Sequence, residues 1–256
     1  FEEATIELLR EAHWQYTFGD DIHRKYTDPL IEEDLRNFLA AQYKDRDLTT
    51  SEIDGIVANL RNTGGQNDYY ALRNAFLLYR DGYDFAYSDG RDNPFRLEYI
   101  DFEHPDHNIF RCVNQFVMEQ GRENRRPDIL LFVNGIPVCI IELKNPTKQN
   151  ATIRDAHTQI CTRYMRDIPA LLKYCALAVI SDGAKNALGT IYTPFEFFYE
   201  WKKIENEDKA GKGLDTLRTL IRGALSPERI LEILRDYVYF PDPTKEDDTT
   251  EIVCRY

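Results

Sequence analysis

Apolar residues recur every three to four positions over much of the first sixty residues, which is the period of an amphipathic helix. Three segments carry this period, residues 2–16, 28–43 and 49–62. Acidic residues precede the first apolar stripe, Pro29 lies near the start of the second, and Thr50 or Ser51 is expected to cap the third. The pattern predicts three N-terminal helices whose main role is packing.

The pattern changes in residues 63–105, which are rich in turn-forming residues. Alternation in 95–102 predicts a strand, and 108–120 predicts another. The runs "ILLFV" and "VCII" then flank Asn134-Gly135. An Asn-Gly pair between apolar runs predicts a β-hairpin, and its consecutive apolar positions predict central strands that are covered on both faces.

Residues 152–172 return to the helical period as far as Asp167, after which Pro169 stops the helix. The apolar run in 174–183 predicts another strand, ended by Asp182-Gly183. From about Pro194 the chain is polar and helical, with one short helix starting at Ser226-Pro227, and its acidic, turn-rich end is typical of a connector. The order of these elements predicts an α/β fold with a mixed central β-sheet flanked by helices.

Composition restricts the class of protein. The 256 residues are 43% hydrophobic, which is enough for a sizeable core, and the formal net charge of −12 argues against a general DNA-coating protein. The five cysteines are odd in number and form no CxxC pair, so we interpret them as buried thiols in a reducing compartment. No cysteine and histidine have the spacing of a zinc site, which argues against one.

Targeting signals are absent from the sequence. No apolar run approaches the ~20 residues that a membrane helix needs, and no signal peptide is visible. A cytoplasmic protein without membrane contact is therefore expected. The sequence opens at Phe1 without a methionine, which indicates a processed chain or an excised fragment.

Three charged residues lie at the ends of the predicted hairpin, in the most apolar part of the chain. Asp128 precedes the first strand, and Glu142 and Lys144, two residues apart, share a face at the end of the second. Two carboxylates provide the oxygen ligands that Mg²⁺ prefers, and Mg²⁺ can acidify a water and neutralise charge on a phosphate. The alternative is that these residues simply mark strand ends in solvent.

The hairpin register decides whether the two carboxylates can meet. With a two-residue loop and regular pairing, Asp128 lies opposite Ile141 and points away from Glu142. One extra residue in the loop, or a β-bulge, sets Asp128 opposite Glu142. Pro137 cannot donate a ladder hydrogen bond, which favours such an irregularity. A functional site therefore predicts an irregular hairpin.

The residues themselves are more specific than their spacing. The segment "RRPDILLFVNGIPVCIIELKNP" (125–146) resembles the PD-(D/E)xK nuclease signature, and more narrowly the N-terminal nuclease domain of the R (HsdR) subunit of type I restriction enzymes. The blocks that carry the resemblance are "YIDF" (99–102), "VNQF" (113–116), "RPD" (126–128), "FVNG" (132–135), "IELKN" (141–145), "RYMRDIP" (163–169) and "ISDGAKNALGT" (180–190). The resemblance implies a restriction-endonuclease-like domain over 1–193, best matched in 99–190, and a helical extension or connector over 194–256.

The resemblance also implies roles for the matching residues. Asp128 and Glu142 would bind Mg²⁺, with the Leu143 carbonyl completing the shell, and Lys144 would position the attacking water. An acid on the first helix often joins such sites. Glu3 is the candidate here, and Glu7 is its competitor.

The helix after the second hairpin strand departs from the family pattern. Many relatives carry Gln-x-x-x-Tyr, whereas Gln159 is followed by Arg163 at that spacing and by Tyr164 one residue later. Gln159 is carried over as a catalytic candidate. Tyr164 is also consistent with plain core packing, since it shares a stripe with Ala156 and Ile160.

Basic residues cluster around the candidate site. Residues 111–166 contain nine Lys or Arg and five Asp or Glu, a net charge of +4 against −12 for the whole chain. A DNA backbone requires such a patch, although chance clustering is the alternative. The expected DNA contacts are Arg125, Arg126, Lys148, Arg163 and Tyr164.

The resemblance implies a Mg²⁺-dependent endonuclease domain that hydrolyses double-stranded DNA without reading its sequence, in a complex with methylation and specificity subunits. No GxxxxGK[ST] loop occurs, so ATP is expected to serve only a motor domain absent from this chain. Two alternatives stay open: another PD-(D/E)xK nuclease, and a non-catalytic module of the same fold that docks DNA or subunits.

Overall fold

The computed structural model describes residues 1–90, 94–144, 152–204, 211, 213–241 and 250–254, and it confirms the predicted α/β class. The helices in these ranges are α1 (Glu2–Glu11), α2 (Glu32–Gln42), α3 (Thr50–Asn62), α4 (Asp68–Asp81), α5 (Ile153–Thr158), α6 (Met165–Asp167), α7 (Pro169–Leu172), α8 (Leu214–Ala224) and α9 (Pro227–Glu232). The strands are β1 (Gln15–Phe18), β2 (Tyr83–Phe85), β3 (Phe95–Leu97), β4 (Phe110–Asn114), β5 (Met118–Gln120), β6 (Glu123–Arg125), β7 (Ile129–Val133), β8 (Ile136–Leu143), β9 (Leu177–Ser181), β10 (Asn186–Gly189), β11 (Val238–Tyr239) and β12 (Ile252–Val253).

The central sheet has six strands in the order β1-β4-β7-β8-β9-β10. The pairs β1–β4 and β8–β9 are parallel and the other neighbours are antiparallel, so the sheet is mixed, as predicted. Every residue of β7 is buried, and so is β8 as far as Glu142. Ile129 and Leu131 pack into one hydrophobic cluster with the N-terminal helices, whereas Leu130 and Phe132 pack into a second cluster with the helix after β8. The consecutive apolar residues of the hairpin therefore reflect a sheet covered on both faces.

The hairpin turn is fixed by its two residues, Asn134 and Gly135, which have φ of 50° and 77°. Positive φ at both positions matches the twist of the strands that the turn connects. A Cβ on Gly135 would lie 2.1 Å from the carbonyl oxygen of Ile31, and that residue's N–H donates to the Gly135 carbonyl at 2.9 Å. The buried Asn134 amide donates to the Tyr99 carbonyl at 3.0 Å and to Asn108 Oδ1 at 2.8 Å.

The helix after the hairpin combines two α-helical parts with a π-helical segment between them. Thr152 caps α5 through a capping box with Asp155, and α5 continues through a π-helical segment, Gln159–Tyr164, into α6. The helix ends just before Pro169, as the sequence predicts. A π-helical turn accommodates one residue more than an α-helical turn, which changes which side chains share a face.

Several predicted elements differ from the observed ones. Residues 63–105 were expected to be mainly turns and a strand, but α4 occupies fourteen of them, because Leu72, Phe76 and Tyr79 form a buried helical stripe. The strand expected over 95–102 is limited to β3, and 108–120 is broken between β4 and β5.

The cap of α3 is Thr49, whose side chain accepts from the Glu52 N–H, rather than Thr50 or Ser51. Between Pro194 and α8, the described residues contain one short 3-10 turn, Phe195–Phe197, in place of the expected helix.

The C-terminal helices share the core of the sheet domain. Leu217 and Leu220 of α8 belong to the same hydrophobic cluster as α1, and Trp14 Nε1 donates to the Leu225 carbonyl at 2.7 Å. The helix that starts at Ser226-Pro227 is present as predicted. Residues 250–254 return to pair β12 with β11. Within the described residues, no helix combines the length and apolar character needed to cross a membrane.

Candidate active site

The hairpin contains the irregularity that a functional site requires. The pairs on either side of it are Phe132–Pro137 and Leu131–Cys139. Val138 is therefore an extra residue in β8, a β-bulge, although the loop itself is the two-residue Asn134-Gly135 turn. The last pair of the two strands is Ile129–Ile141, and the same register carried one residue further sets Asp128 opposite Glu142. The predicted irregularity is confirmed.

Four predicted site residues converge at the end of β8. Asp128 Oδ2 accepts the backbone N–H of Leu143 at 2.7 Å. Lys144 Nζ lies 2.8 Å from Glu142 Oε1 and 2.7 Å from Gln159 Oε1. Gln159 comes from the helix that covers the strand, so one strand pair and one helix fix the whole group.

The site holds more buried negative charge than its lysine balances. The pKa of Glu142 is raised to about 7, chiefly by burial and then by the nearby Asp128 carboxylate, against the lowering effect of Lys144. Burial also raises the pKa of Asp128, opposed by the Leu143 N–H, and the Glu2 carboxylate adds to the rise. Glu142 is only 1% exposed. Such a group of carboxylates with one ammonium has the donor chemistry and the charge that suit a hard divalent cation.

The first helix contributes Glu2 to this region. Its Oε1 accepts from Asn114 Nδ2 at 2.8 Å and from Gln115 Nε2 at 3.0 Å. The backbone N–H of Gln115 donates to the Asp128 carbonyl at 3.1 Å. The amides of the "VNQF" block therefore hold an N-terminal carboxylate beside Asp128.

The choice of Glu3 from the sequence is corrected by this geometry. Glu2 lies three and four positions before Thr5 and Ile6, which are buried, whereas Glu3 and Glu7 are exposed. Glu7 pairs instead with Arg10 at 2.8 Å. The buried stripe of α1 is visible in the sequence, and it would have identified Glu2 as the acid on the inner face.

The π-helical segment explains the departure from Gln-x-x-x-Tyr. Although Tyr164 is five residues after Gln159, Gln159 Nε2 donates to its hydroxyl at 2.7 Å, and that hydroxyl donates to Glu142 Oε2 at 3.2 Å. The wider turn absorbs the extra residue and keeps the two side chains together. The Tyr164 ring is 3% exposed and packs in the core, as the packing alternative predicts, while its hydroxyl contacts Gln159 and Glu142.

The residues expected to contact DNA differ in their exposure and in their ion pairs. Arg126 and Arg163 are exposed near the site. Arg125 forms ion pairs with Glu123 and with Asp167, the latter at 2.7 Å. Tyr164 is buried, which removes it from a DNA-facing surface, and Lys148 lies outside the described residues.

The local charge of +4 overstates the free basic charge in this segment. Asp167, which follows its last residue, accepts from Arg125 and from Arg166. Arg111 pairs with the buried Asp34 at 2.6 Å. The cations left for a backbone phosphate are therefore fewer than the sequence count, and they include Arg126 and Arg163.

Comparison with known proteins gives consistent matches along the chain. The family model for the type I restriction enzyme R protein N terminus matches residues 1–197. The type I restriction enzyme HindI endonuclease subunit of Haemophilus influenzae is 29% identical over 251 residues, which cover 93% of this chain and 24% of the relative. The putative type I restriction enzyme MjaIXP endonuclease subunit of Methanocaldococcus jannaschii is 27% identical over 261 residues, covering 93% and 25%. The chain thus spans about a quarter of the length of these two curated relatives.

Proposed function

This chain belongs to the family of the type I restriction enzyme R protein N terminus, and from that premise we propose that it is the Mg²⁺-dependent nuclease domain of such a subunit. The observation that carries the proposal is the meeting of Asp128, Glu142 and Lys144 at the end of one buried strand. The names of the relatives, which are endonuclease subunits, support the same activity.

The residues at the strand end fit the metal that the family implies. Asp128 and Glu142 would hold Mg²⁺, the Leu143 carbonyl would complete the shell, and Glu2 adds a nearby negative charge. Bound there, Mg²⁺ would supply a Lewis acid that lowers the pKa of water and neutralises charge on the phosphate. The shortage of positive charge among the described residues of the site supports this assignment.

The other residues of the site position the reacting groups. Lys144 Nζ is held between Glu142 and Gln159, so its third donor is directed by two short contacts and orients the attacking water. Tyr164 holds the second oxygen of Glu142 and the amide of Gln159. We assign it a positioning role, because its hydroxyl touches Glu142 and Gln159 rather than a solvent-facing surface.

The substrate that suits this site is the backbone of double-stranded DNA. Arg126 and Arg163, exposed beside the site, would contact phosphates, which carry no base sequence. Sequence would then be read by a specificity subunit, in a complex that also contains a methylation subunit. We further propose that 1–193 form the nuclease domain, that 194–256 lead toward a motor domain of the longer subunit, and that ATP is used there.

Metal binding tests the proposal more directly than cleavage, because cleavage in a translocation-driven enzyme can require the complete complex. Mn²⁺ titrated by calorimetry is expected to bind saturably to the wild-type chain and to lose that binding in Asp128→Ala. Lys144→Ala is the matched control, since it removes a site residue that is not a ligand and should retain Mn²⁺. Equal binding by wild type and Asp128→Ala would contradict the proposal. Absence of saturable binding in both, with and without duplex DNA, would favour a non-catalytic docking module.

A further inference from the structure

A second group of metal-donor side chains lies at the other end of the central sheet. One donor atom from each of Asp101, His104 and His107 lies within 4.8 Å of the other two. Their loop is tied to the Asn134-Gly135 turn, since Asn108 Nδ2 donates to the Asp101 carbonyl at 2.7 Å and Asn108 Oδ1 accepts from Asn134. A five-residue strand, β7, with a length of roughly 17 Å, separates that turn from Asp128.

Two of the three distances between the donor atoms are close to the spacing of metal ligands. His104 Nδ1 lies 3.3 Å and His107 Nδ1 lies 3.0 Å from the same oxygen, Asp101 Oδ2. In a tetrahedral site with bonds of about 2.0–2.1 Å, neighbouring ligand atoms are about 3.3–3.4 Å apart. A metal ion can therefore replace the two hydrogen bonds to Asp101 once the exposed imidazoles turn their Nδ1 atoms, now within 4.8 Å of each other, toward it.

The local fold brings the two imidazoles together. Pro105–His107 form a 3-10 turn with His104 as its N-cap. A 3-10 turn has three residues, so side chains three positions apart lie one above the other. The two rings accordingly stack, with centroids 4.8 Å apart and planes at 22°, and both present Nδ1 to Asp101.

The carboxylate of Asp101 is held in place before any metal binds. Asp101 is 4% exposed, and its Oδ1 accepts the backbone N–H groups of Glu103 at 3.1 Å and His104 at 2.9 Å. Gln42 Nε2 donates to Oδ2 at 2.9 Å. Burial alone would raise the pKa of Asp101, but these hydrogen bonds hold it below the ordinary value. Outer hydrogen bonds of this kind orient a ligand, while the exposed histidines give a metal access.

We propose that Asp101, His104 and His107 bind one transition-metal ion of the Zn²⁺ class. Two imidazole nitrogens and one carboxylate oxygen suit Zn²⁺, whereas Mg²⁺ selects oxygen ligands. The proposal departs from the expectation from the sequence that a zinc site is absent, because that expectation considered pairs of cysteine and histidine and not a carboxylate with two histidines. Three protein ligands leave the outward position to water. Because the loop contacts α2 through Gln42 and the hairpin turn through Asn108, the ion stabilises this end of the sheet and takes no part in phosphodiester hydrolysis.

Zn²⁺ alone is the probe for the test, in competition with a chromophoric chelator and in the full chain. Wild type is expected to bind one Zn²⁺, with an affinity at least about tenfold weaker in His104→Asn and in His107→Asn. His23→Asn removes an exposed histidine elsewhere and should leave binding unchanged. Both ligand substitutions are at half-exposed or exposed side chains, so circular dichroism should show unchanged folding.

Asp128→Ala separates this proposal from the proposed nuclease. Zn²⁺ binding that persists in Asp128→Ala and is lost in His104→Asn supports the new site, whatever the outcome for Mn²⁺. Zn²⁺ binding that depends on Asp128, or that His104→Asn and His107→Asn leave unchanged, overturns it. Failure of wild type to compete with the chelator overturns it as well, and the histidines are then only hydrogen-bond donors to Asp101.

Discussion

Glu2 and Glu3 are neighbours in the chain, but they lie on different sides of α1. Glu2 accepts from Asn114 and Gln115, and its charge acts on Asp128, whereas Glu3 is exposed. A helix turns about 100° per residue, so one step in sequence is enough to move a carboxylate from the site to solvent. Helical phase thus decides which of the two carboxylates acts on Asp128.

Replacing Glu2 therefore tests the site with its neighbour as control. Glu2→Gln removes a negative charge near Asp128 and keeps a side chain that can accept from Asn114. We expect Mn²⁺ affinity, measured by calorimetry, to fall by about 1–2 kcal/mol, or roughly five- to thirtyfold. Glu3→Gln should change it by less than about twofold. Equal effects of the two substitutions would exclude a specific role for Glu2.

A second prediction at this scale concerns the hydroxyl of Tyr164. Tyr164→Phe keeps the buried ring and removes the contacts to Glu142 and Gln159. A lost hydrogen bond of this kind costs about 0.5–1.5 kcal/mol. We expect Mn²⁺ affinity to fall by roughly two- to tenfold while the protein stays folded by circular dichroism. Tyr192→Phe is the control, since Tyr192 lies outside the site. An unchanged Mn²⁺ affinity in Tyr164→Phe would make this tyrosine a packing residue only.

At the scale of elements, a β-bulge and a π-helical segment bring the site residues together. The bulge at Val138 could be predicted, because Asp128 and Glu142 can meet only in a shifted register. The π-helical segment could not, although the extra residue between Gln159 and Tyr164 was visible. An extra residue can either widen the helix or rotate the tyrosine away from Gln159. The outcome depends on what the Tyr164 ring packs against, and that ring packs in a core built from distant segments.

The hairpin turn gives a prediction at this scale. Gly135→Ala places a Cβ 2.1 Å from the Ile31 carbonyl oxygen at a positive φ, whereas a Cβ at Gly121, also at positive φ, meets nothing within 4 Å. Gly121→Ala isolates the backbone strain, about 1 kcal/mol. We expect Gly135→Ala to lower the free energy of unfolding, measured in urea, by about 2–4 kcal/mol more than Gly121→Ala does. If both substitutions lower the free energy of unfolding equally, the hairpin turn and the start of α2 can move apart at little energetic cost.

At the scale of the whole molecule, contacts between distant segments decide the outcome. Trp14 donates to Leu225, and Tyr69 donates to the Thr250 carbonyl at 3.0 Å. No local pattern predicts such pairs, so the end of the chain, expected to be a connector, was not predicted to contribute β12. By contrast, α4 was missed although its stripe of Leu72, Phe76 and Tyr79 is local, because the turn-forming residues around it dominated the interpretation.

The C-terminal segment buries the carboxyl group of Glu251. Glu251 is 1% exposed, and neither carboxyl oxygen accepts or donates a hydrogen bond among the described residues. The carboxyl group raises the pKa of the nearby Tyr79, Cys161, Cys175 and Tyr192, whose phenols and thiols cannot supply a positive charge to it. Burial raises the pKa of Glu251 well above its ordinary value of 4.5, against a smaller lowering effect of the nearby Thr190 hydroxyl. Burial in the folded protein therefore favours the neutral acid form of this group.

This burial predicts a pH-dependent stability that Glu251→Gln removes. Since the folded pKa is the higher one, the contribution of Glu251 is fully present below about pH 4.5 and is lost as pH rises toward the folded pKa. Above pH 4.5, wild type should lose up to about 1.4 kcal/mol per pH unit relative to Glu251→Gln, measured by urea unfolding between pH 4 and 8. Glu196→Gln, at an exposed glutamate in the same region, should follow wild type at every pH. A difference between wild type and Glu251→Gln that stays constant with pH would mean that the carboxyl reaches water in the folded protein and ionises there as it does in the unfolded chain.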